Sequence, residues 1–384
     1  MPFGYGEIVN MDLTLLFGFV CLTLGLSYFQ IRQRKNYAFQ NVLIVFLYLL
    51  LIGNRSIEGT ADTPLYADEF SSVTLQYLYT PDNVDTLYRY EYGYSLLSQI
   101  IKFVFGDNLS AFFMIIALLQ ATCVYFGFRN FMDLYNKSSN AFILFIPCFA
   151  IYIAVAGFMY NAIVLRAGIA ISLQFLATSL LLKRKYVQGT MFFCISLTFH
   201  NTAFIGLGIL LFMLLNRVYS AKVYYAWLSS FLILYLLKIH VWISSITSGS
   251  LILLFSSNDD QTTSKLSNYL SNSSDSSSSY SIFIFINFAL SYLTVRYSDL
   301  GNKLTNKLIR INLFSTCFLA LMSAIPIVSR VFDYYLVFNV IVFYLCFIDK
   351  FNTYKGIIFS ALVIALVFRF YVLALEPYIF YLYQ

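Results

Sequence analysis

Apolar runs separated by short polar or basic links recur along nearly the whole chain, and their spacing predicts helices throughout. A bilayer core about 30 Å thick takes roughly 20 helical residues to cross. Segments 11–29, 38–53, 109–128, 139–157, 159–182, 186–199, 201–216, 222–246, 281–297, 308–326, 330–348 and 355–375 meet this loosely. The expected fold is an all-α polytopic bundle of about 12 transmembrane helices. Segments 186–199 and 201–216 share a junction at Phe199-His200-Asn201, where one long helix would invert every later loop. Segment 91–105 (EYGYSLLSQIIKFVF) is short and carries Lys102, so it reads as an interfacial or re-entrant helix. Residues 1–384 are read as one integral membrane domain. It has an outer region at 54–108 and an outer loop at 247–280 holding the tract NYLSNSSDSSSSY.

Charge sets the orientation. Of the 24 Lys and Arg, sixteen fall in short loops or helix ends on one side, among them Arg32, Arg34, Lys35, Lys183, Arg184, Lys185, Lys303, Lys307 and Arg310. Short basic loops stay in the cytoplasm, so both termini, region 54–108 and loop 247–280 are expected on the opposite face. A break at His200 keeps the later basic residues cytoplasmic. Leaving 91–105 out of the crossings does the same for Lys183, Arg184 and Lys185.

Composition narrows the class. A chain that is 60% hydrophobic and 11% charged, with 40 Phe and 32 Tyr, has more apolar surface than a soluble domain could bury. Its net charge of +6 is explained by cytoplasmic anchoring and needs no nucleic acid partner. Cys21, Cys123, Cys148, Cys194, Cys317 and Cys346 all lie in apolar sequence without ligand spacing, and read as small membrane residues. The opening MPFGYGEIVN has no basic n-region, so 11–29 is expected as a retained span. No nucleotide-binding loop, Gly-x-Ser-x-Gly elbow or His-Glu-x-x-His motif is present, which removes ATP-driven transport and the usual serine and zinc hydrolases.

Five stretches carry polar chemistry at or near the outer face: GTADTPLY at 59–66, YEYGY at 90–94, LRAGIA at 165–170, FHNTA at 199–203 and SRVFDYY at 329–335. Ionisable groups in apolar sequence are costly and for that reason functional candidates. Arg166 and Arg330 could grip a phosphate or diphosphate bidentately without losing charge. His200 could donate to a phosphate or serve as a base, and a carboxylate in the loop above could deprotonate a sugar hydroxyl. Plainer readings stand beside these. Arg166 pairs with a carboxylate or snorkels, Arg330 snorkels from a helix start, His200 caps a helix, Asp62 opens a turn, and Glu91 solvates a loop edge.

In this order and spacing, a Gly-Thr-x-Asp-x-x-x-Tyr-like loop, Glu-x-Gly-Tyr, Leu-Arg-x-Gly-Ile-Ala with a later Lys-Arg-Lys turn, Phe-His-Asn-Thr-Ala and a late Arg-x-x-x-Tyr-Tyr resemble the EpsG-like group of Wzy polysaccharide polymerases. The likeness covers residues 53 to about 340. The first loop has one residue inserted before Asp62, and Tyr92 stands where such proteins often have Pro. The resemblance implies a GT-C-like glycosyltransferase of the bacterial inner membrane, acting at the periplasmic face without metal or nucleotide cofactor. It would move a growing glycan from undecaprenyl diphosphate onto the non-reducing end of a lipid-linked repeat unit. Arg166 and Arg330, with Tyr334, would hold the donor diphosphate. His200 would orient it or act as base, Asp62 or Glu91 would be the candidate base for the acceptor, and loops 54–90 and 247–280 would line the sugar cavity. Donor and acceptor lipids, membrane lipids and a chain-length regulator are the implied partners. A flippase or transporter of lipid-linked oligosaccharide, or a ligase of the O-antigen type, is the alternative. Charges crowded on one face and the absence of two related halves favour the enzyme.

Overall fold

The computed structural model describes residues 5–54, 62–73, 91–136, 144–215, 217–243, 246, 282–323 and 334–346. Among them every element is helical and no strand occurs, as the apolar periodicity predicts. They fall into two compact units, one up to Phe204 and the other from Ile205 to Cys346. Span 355–375, loop 247–280 and Arg330 lie outside the described residues.

The first unit is built from α1 (Tyr5–Gln33), α2 (Ala38–Gly53), α3 (Thr63–Ser72), α4 (Tyr92–Phe105), α5 (Leu109–Asn136), α6 (Phe145–Tyr152), α7 (Leu165–Leu182) and α8 (Tyr186–Phe199). Helix α7 is its core and packs against α5 and α8. Every residue from Leu165 to Leu180 is buried except Arg166. Close approach comes from small residues: Gly127 on α5 faces the Phe175 ring, and Gly189 on α8 faces Leu181 and the Ala177 carbonyl.

Several helices bury polar groups and expose large apolar ones. The buried side of α4 carries Gly93, Ser95, Ser98 and Gln99, whereas Ile100, Phe103, Val104 and Phe105 are exposed, Phe103 at 73%. On α2, Phe39, Val42 and Phe46 point outward. Polar groups turned inward and large apolar groups turned outward suit hydrocarbon surroundings, where association relies on packing and internal hydrogen bonds. Among the described residues the six cysteines form no disulfide.

Among the described residues the helices do not confirm the expected count of about 12 transmembrane helices. Among the described residues, Leu109–Tyr135 (27 residues) and Leu165–Leu182 (18 residues) are long and apolar enough to cross a membrane. Ala38–Gly53, Tyr186–Phe199, Ala221–Leu236 and Tyr334–Cys346 are apolar but shorter, at 10–17 residues. At a rise of about 1.5 Å per residue these reach about 25 Å or less. Internal breaks account for part of the shortening. The span expected at 159–182 starts only at Leu165, because two π-helical turns (Ile153–Gly157 and Met159–Ile163) and a non-helical Val164 (φ −111°, ψ 69°) precede it. Arg166 therefore sits in the first turn of its helix. The break expected at His200 is present: the residue is extended (φ −158°, ψ 128°) and a 3₁₀ turn, Asn201–Ile205, follows.

The second unit comprises α9 (Gly206–Leu214), α10 (Ala221–Leu236), α11 (Ile282–Tyr297), α12 (Lys303–Met322) and α13 (Tyr334–Cys346). Asn302 caps α12, its Oδ1 accepting from the Leu304 and Thr305 N–H groups. The buried face of α12 is a polar ladder: Asn312 donates to Asn339 (2.8 Å) and Thr316 meets Ser291 (2.8 Å). Arg310, expected as an anchoring charge, is buried and donates to the Leu215 carbonyl at the end of α9 (2.5 Å).

Candidate active site

The Glu-x-Gly-Tyr segment works as three separate fittings. Glu91 is the N-cap residue of α4, extended at φ −65°, ψ 144°, and its side chain makes no cap hydrogen bond. It turns away from α4 toward α7 and α8. Gly93 lies against Thr198 near the end of α8, where a Cβ would overlap the Thr198 side chain and come 2.9 Å from its carbonyl oxygen. Tyr94 is fully buried between Tyr66 and Phe112. Gly93→Ala is thus expected to part α4 from α8 at a cost of roughly 1–3 kcal/mol, the usual scale for overpacking. A thermal melt in detergent that matches wild type would contradict this.

Glu91 joins two of the other motifs. Its Oε2 accepts from Arg166 Nη1 at 2.5 Å, and its Oε1 lies 2.8 Å from His200 Nδ1. The Asn201 backbone N–H also points at Oε1, at 3.4 Å. Arg166 stacks over the Tyr66 ring, with Cζ 5.9 Å from the centroid. The Glu91 side chain is 10% exposed, while Arg166 and His200 keep 24% and 25%. Arg166 and His200 are therefore both held by a sheltered carboxylate, and each keeps about a quarter of its side chain exposed.

Burial alone would raise the Glu91 pKa. The hydrogen bond with His200 and the Arg166 charge outweigh it and bring the carboxyl down to about 2. A pKa lowered in the folded state adds stability that is complete above the unfolded value of about 4.3 and is lost as pH falls toward the folded one. Across the neutral range the carboxylate and its ion pair stay intact. Activity should accordingly show no inflection due to Glu91 between about pH 5 and 8. A step in that range that Glu91→Gln removes would contradict the assignment.

Short helices carry these groups. Lys102 locks α4 to α3, its Nζ donating to the Phe70 and Ser71 carbonyls (3.0 and 2.7 Å) at the end of α3 and pairing with Asp107 (2.7 Å). A cation there meets both orphan carbonyls and the helix dipole. Helix α3 in turn brings Tyr66 to Arg166. Gln174 on α7 donates to Ser196 (3.2 Å) and to the Ala203 carbonyl, which pins the turn after His200.

Of the residues singled out in the sequence, the structure brings Glu91, Arg166 and His200 together. Asp62 stands at the N-terminus of α3, where its carbonyl accepts from the Tyr66 N–H (3.2 Å) and its side chain makes no cap hydrogen bond. Tyr334 is buried in the second unit at 1% exposure. Tyr66, Gln120 and Gln174 were not picked out as site residues. Gln120 and Gln174 could have been found as lone amides inside apolar spans, since a buried polar group there must be satisfied.

Fold and site together define a helical membrane protein with inward-facing polar groups and one ionised cluster where three helices meet. The EpsG family model matches residues 37–384, and the chain belongs to that family, whose members are Wzy-like polysaccharide polymerase-type proteins. No curated protein and no solved structure gives a significant match.

Proposed function

We propose that the protein is a GT-C-like glycosyltransferase of the bacterial inner membrane that polymerises glycan at the periplasmic face. It moves a growing chain from undecaprenyl diphosphate to the non-reducing end of a lipid-linked repeat unit. Family membership supports the polymerase class, and the Glu91–Arg166–His200 cluster is the single observation that carries the chemistry.

In this reading the acceptor hydroxyl oxygen attacks the anomeric carbon of the donor while the bond from that carbon to the diphosphate oxygen breaks. Undecaprenyl diphosphate departs with the electron pair, and Arg166 steadies the growing negative charge, with Arg330 and Tyr334 as further candidates for the same anion. Fixed donors aimed at developing charge are the largest single contribution in many enzymes. The hydroxyl proton goes to His200. Its Nδ1 faces Glu91, so Nε2 is the nitrogen left for substrate. A carboxyl held near a pKa of 2 is a poor proton acceptor at neutral pH, so Glu91 orients Arg166 and His200 while neutral His200, or Asp62 from the adjoining loop, acts as base.

A native host carrying Arg166→Ala tests the proposal. Surface glycan reduced to a single repeat unit, with that unit still displayed outside at wild-type levels of the protein, supports polymerisation. Loss of the single unit from the outside points to transport, and an unchanged ladder removes Arg166 from the chemistry.

A further inference from the structure

Arg166 leaves the chain at an irregular place. Two π-helical turns and the non-helical Val164 precede α7, and the last carbonyl oxygens before such a break lack the partners a continuing helix would supply. Side chains from other helices fill the gap. Gln120, in the middle of α5 and fully buried, sends its Nε2 donors to the Tyr160 carbonyl on one side of the break and the Leu165 carbonyl on the other, each at 3.3 Å. Between them Thr63, the first residue of α3, donates to the Ala162 carbonyl at 3.2 Å. One turn further along α7, a Cβ at Gly168 would lie 2.7 Å from the Tyr160 oxygen and 2.8 Å from Gln120 Oε1. Packing alone would be met by a leucine at 120. An amide with both donors spent on the two edges of one break sets the geometry of that break, and Arg166 is the residue next to Leu165.

We infer that Gln120 is a positioning residue for Arg166: by bridging the Tyr160 and Leu165 carbonyls it fixes the start of α7 and aims the guanidinium at Glu91 and at the substrate anion. This rests on the proposed role of Arg166. Misplacement of a catalytic group by about 1 Å can cost on the order of 10²-fold in rate. Gln120→Met keeps length and volume and removes the donors, so turnover should fall roughly tenfold to a hundredfold, with acceptor KM little changed and the protein still folded by size-exclusion profile.

A double-mutant cycle in the purified full-length protein separates positioning from general support. On the Arg166→Lys background, where the fork is already lost, Gln120→Met should lower turnover by less than about twofold further. Gly168→Ala, which presses on the same contact from the other side, should follow the same pattern and serves if Gln120→Met does not fold. An equal loss on both backgrounds makes Gln120 a general structural residue and overturns the inference, as does wild-type turnover in both single variants. Failure of both variants to fold also overturns it, by assigning the contact to stability alone. Unchanged turnover in Arg166→Lys by itself is a different result, because it sinks the reading of the site rather than the role of Gln120.

Discussion

Arg166→Ala in the purified protein is expected to lower turnover by about 10²–10³-fold, the usual loss when one fixed donor to a transition-state anion is removed. The structure gives three grounds for an effect this large. Arg166 is the one residue between Leu165 and Leu180 that is not buried; Glu91 and Tyr66 hold it from two sides; and about a quarter of its side chain stays open. Arg166→Lys keeps the charge and loses the fork, so it should fall between alanine and wild type. Equal turnover for lysine and arginine would reduce the role of the residue to charge alone.

Glu91→Ala should do the greatest damage to stability. It leaves Arg166 and His200 without the carboxylate between them, and because the Glu91 side chain is sheltered the loss should approach the roughly 3–5 kcal/mol of a fully buried pair. Glu91→Gln preserves the shape and part of the hydrogen bonding, and should cost less. Thermal unfolding in detergent, read against Gly93→Ala as a neighbouring packing change, checks the order. A Glu91→Ala protein that melts like wild type would show that the carboxylate is not holding Arg166 and His200.

Much of this was legible in residue patterns, and the failures have physical causes. Apolar runs mark most of the helices, and the charge argument for a break at His200 matches the extended residue found there. The span at 159–182 begins later than its hydropathy implies, because hydropathy does not register a backbone break: Val164 leaves the helix between the π-helical turns and Leu165 with no proline at it. The individual chemical parts at 91, 166 and 200 stood out as ionisable groups in apolar surroundings. Their meeting depends on Gly93 fitting against Thr198 and on Lys102 tying α4 to α3, contacts that no local pattern announces. Glu91 read equally well as a loop-edge carboxylate or as a base. Only its contacts with Arg166 and His200, and the lowered pKa they produce, give it the orienting role.

The most direct test of the central claim is reconstitution of the purified protein in lipid bilayers with a lipid-linked repeat unit as the sole substrate. Glycans of increasing length, one undecaprenyl diphosphate released for each linkage formed, and loss of both products in Arg166→Ala and His200→Ala are the predicted result. Movement of the repeat unit across the bilayer without elongation would contradict it.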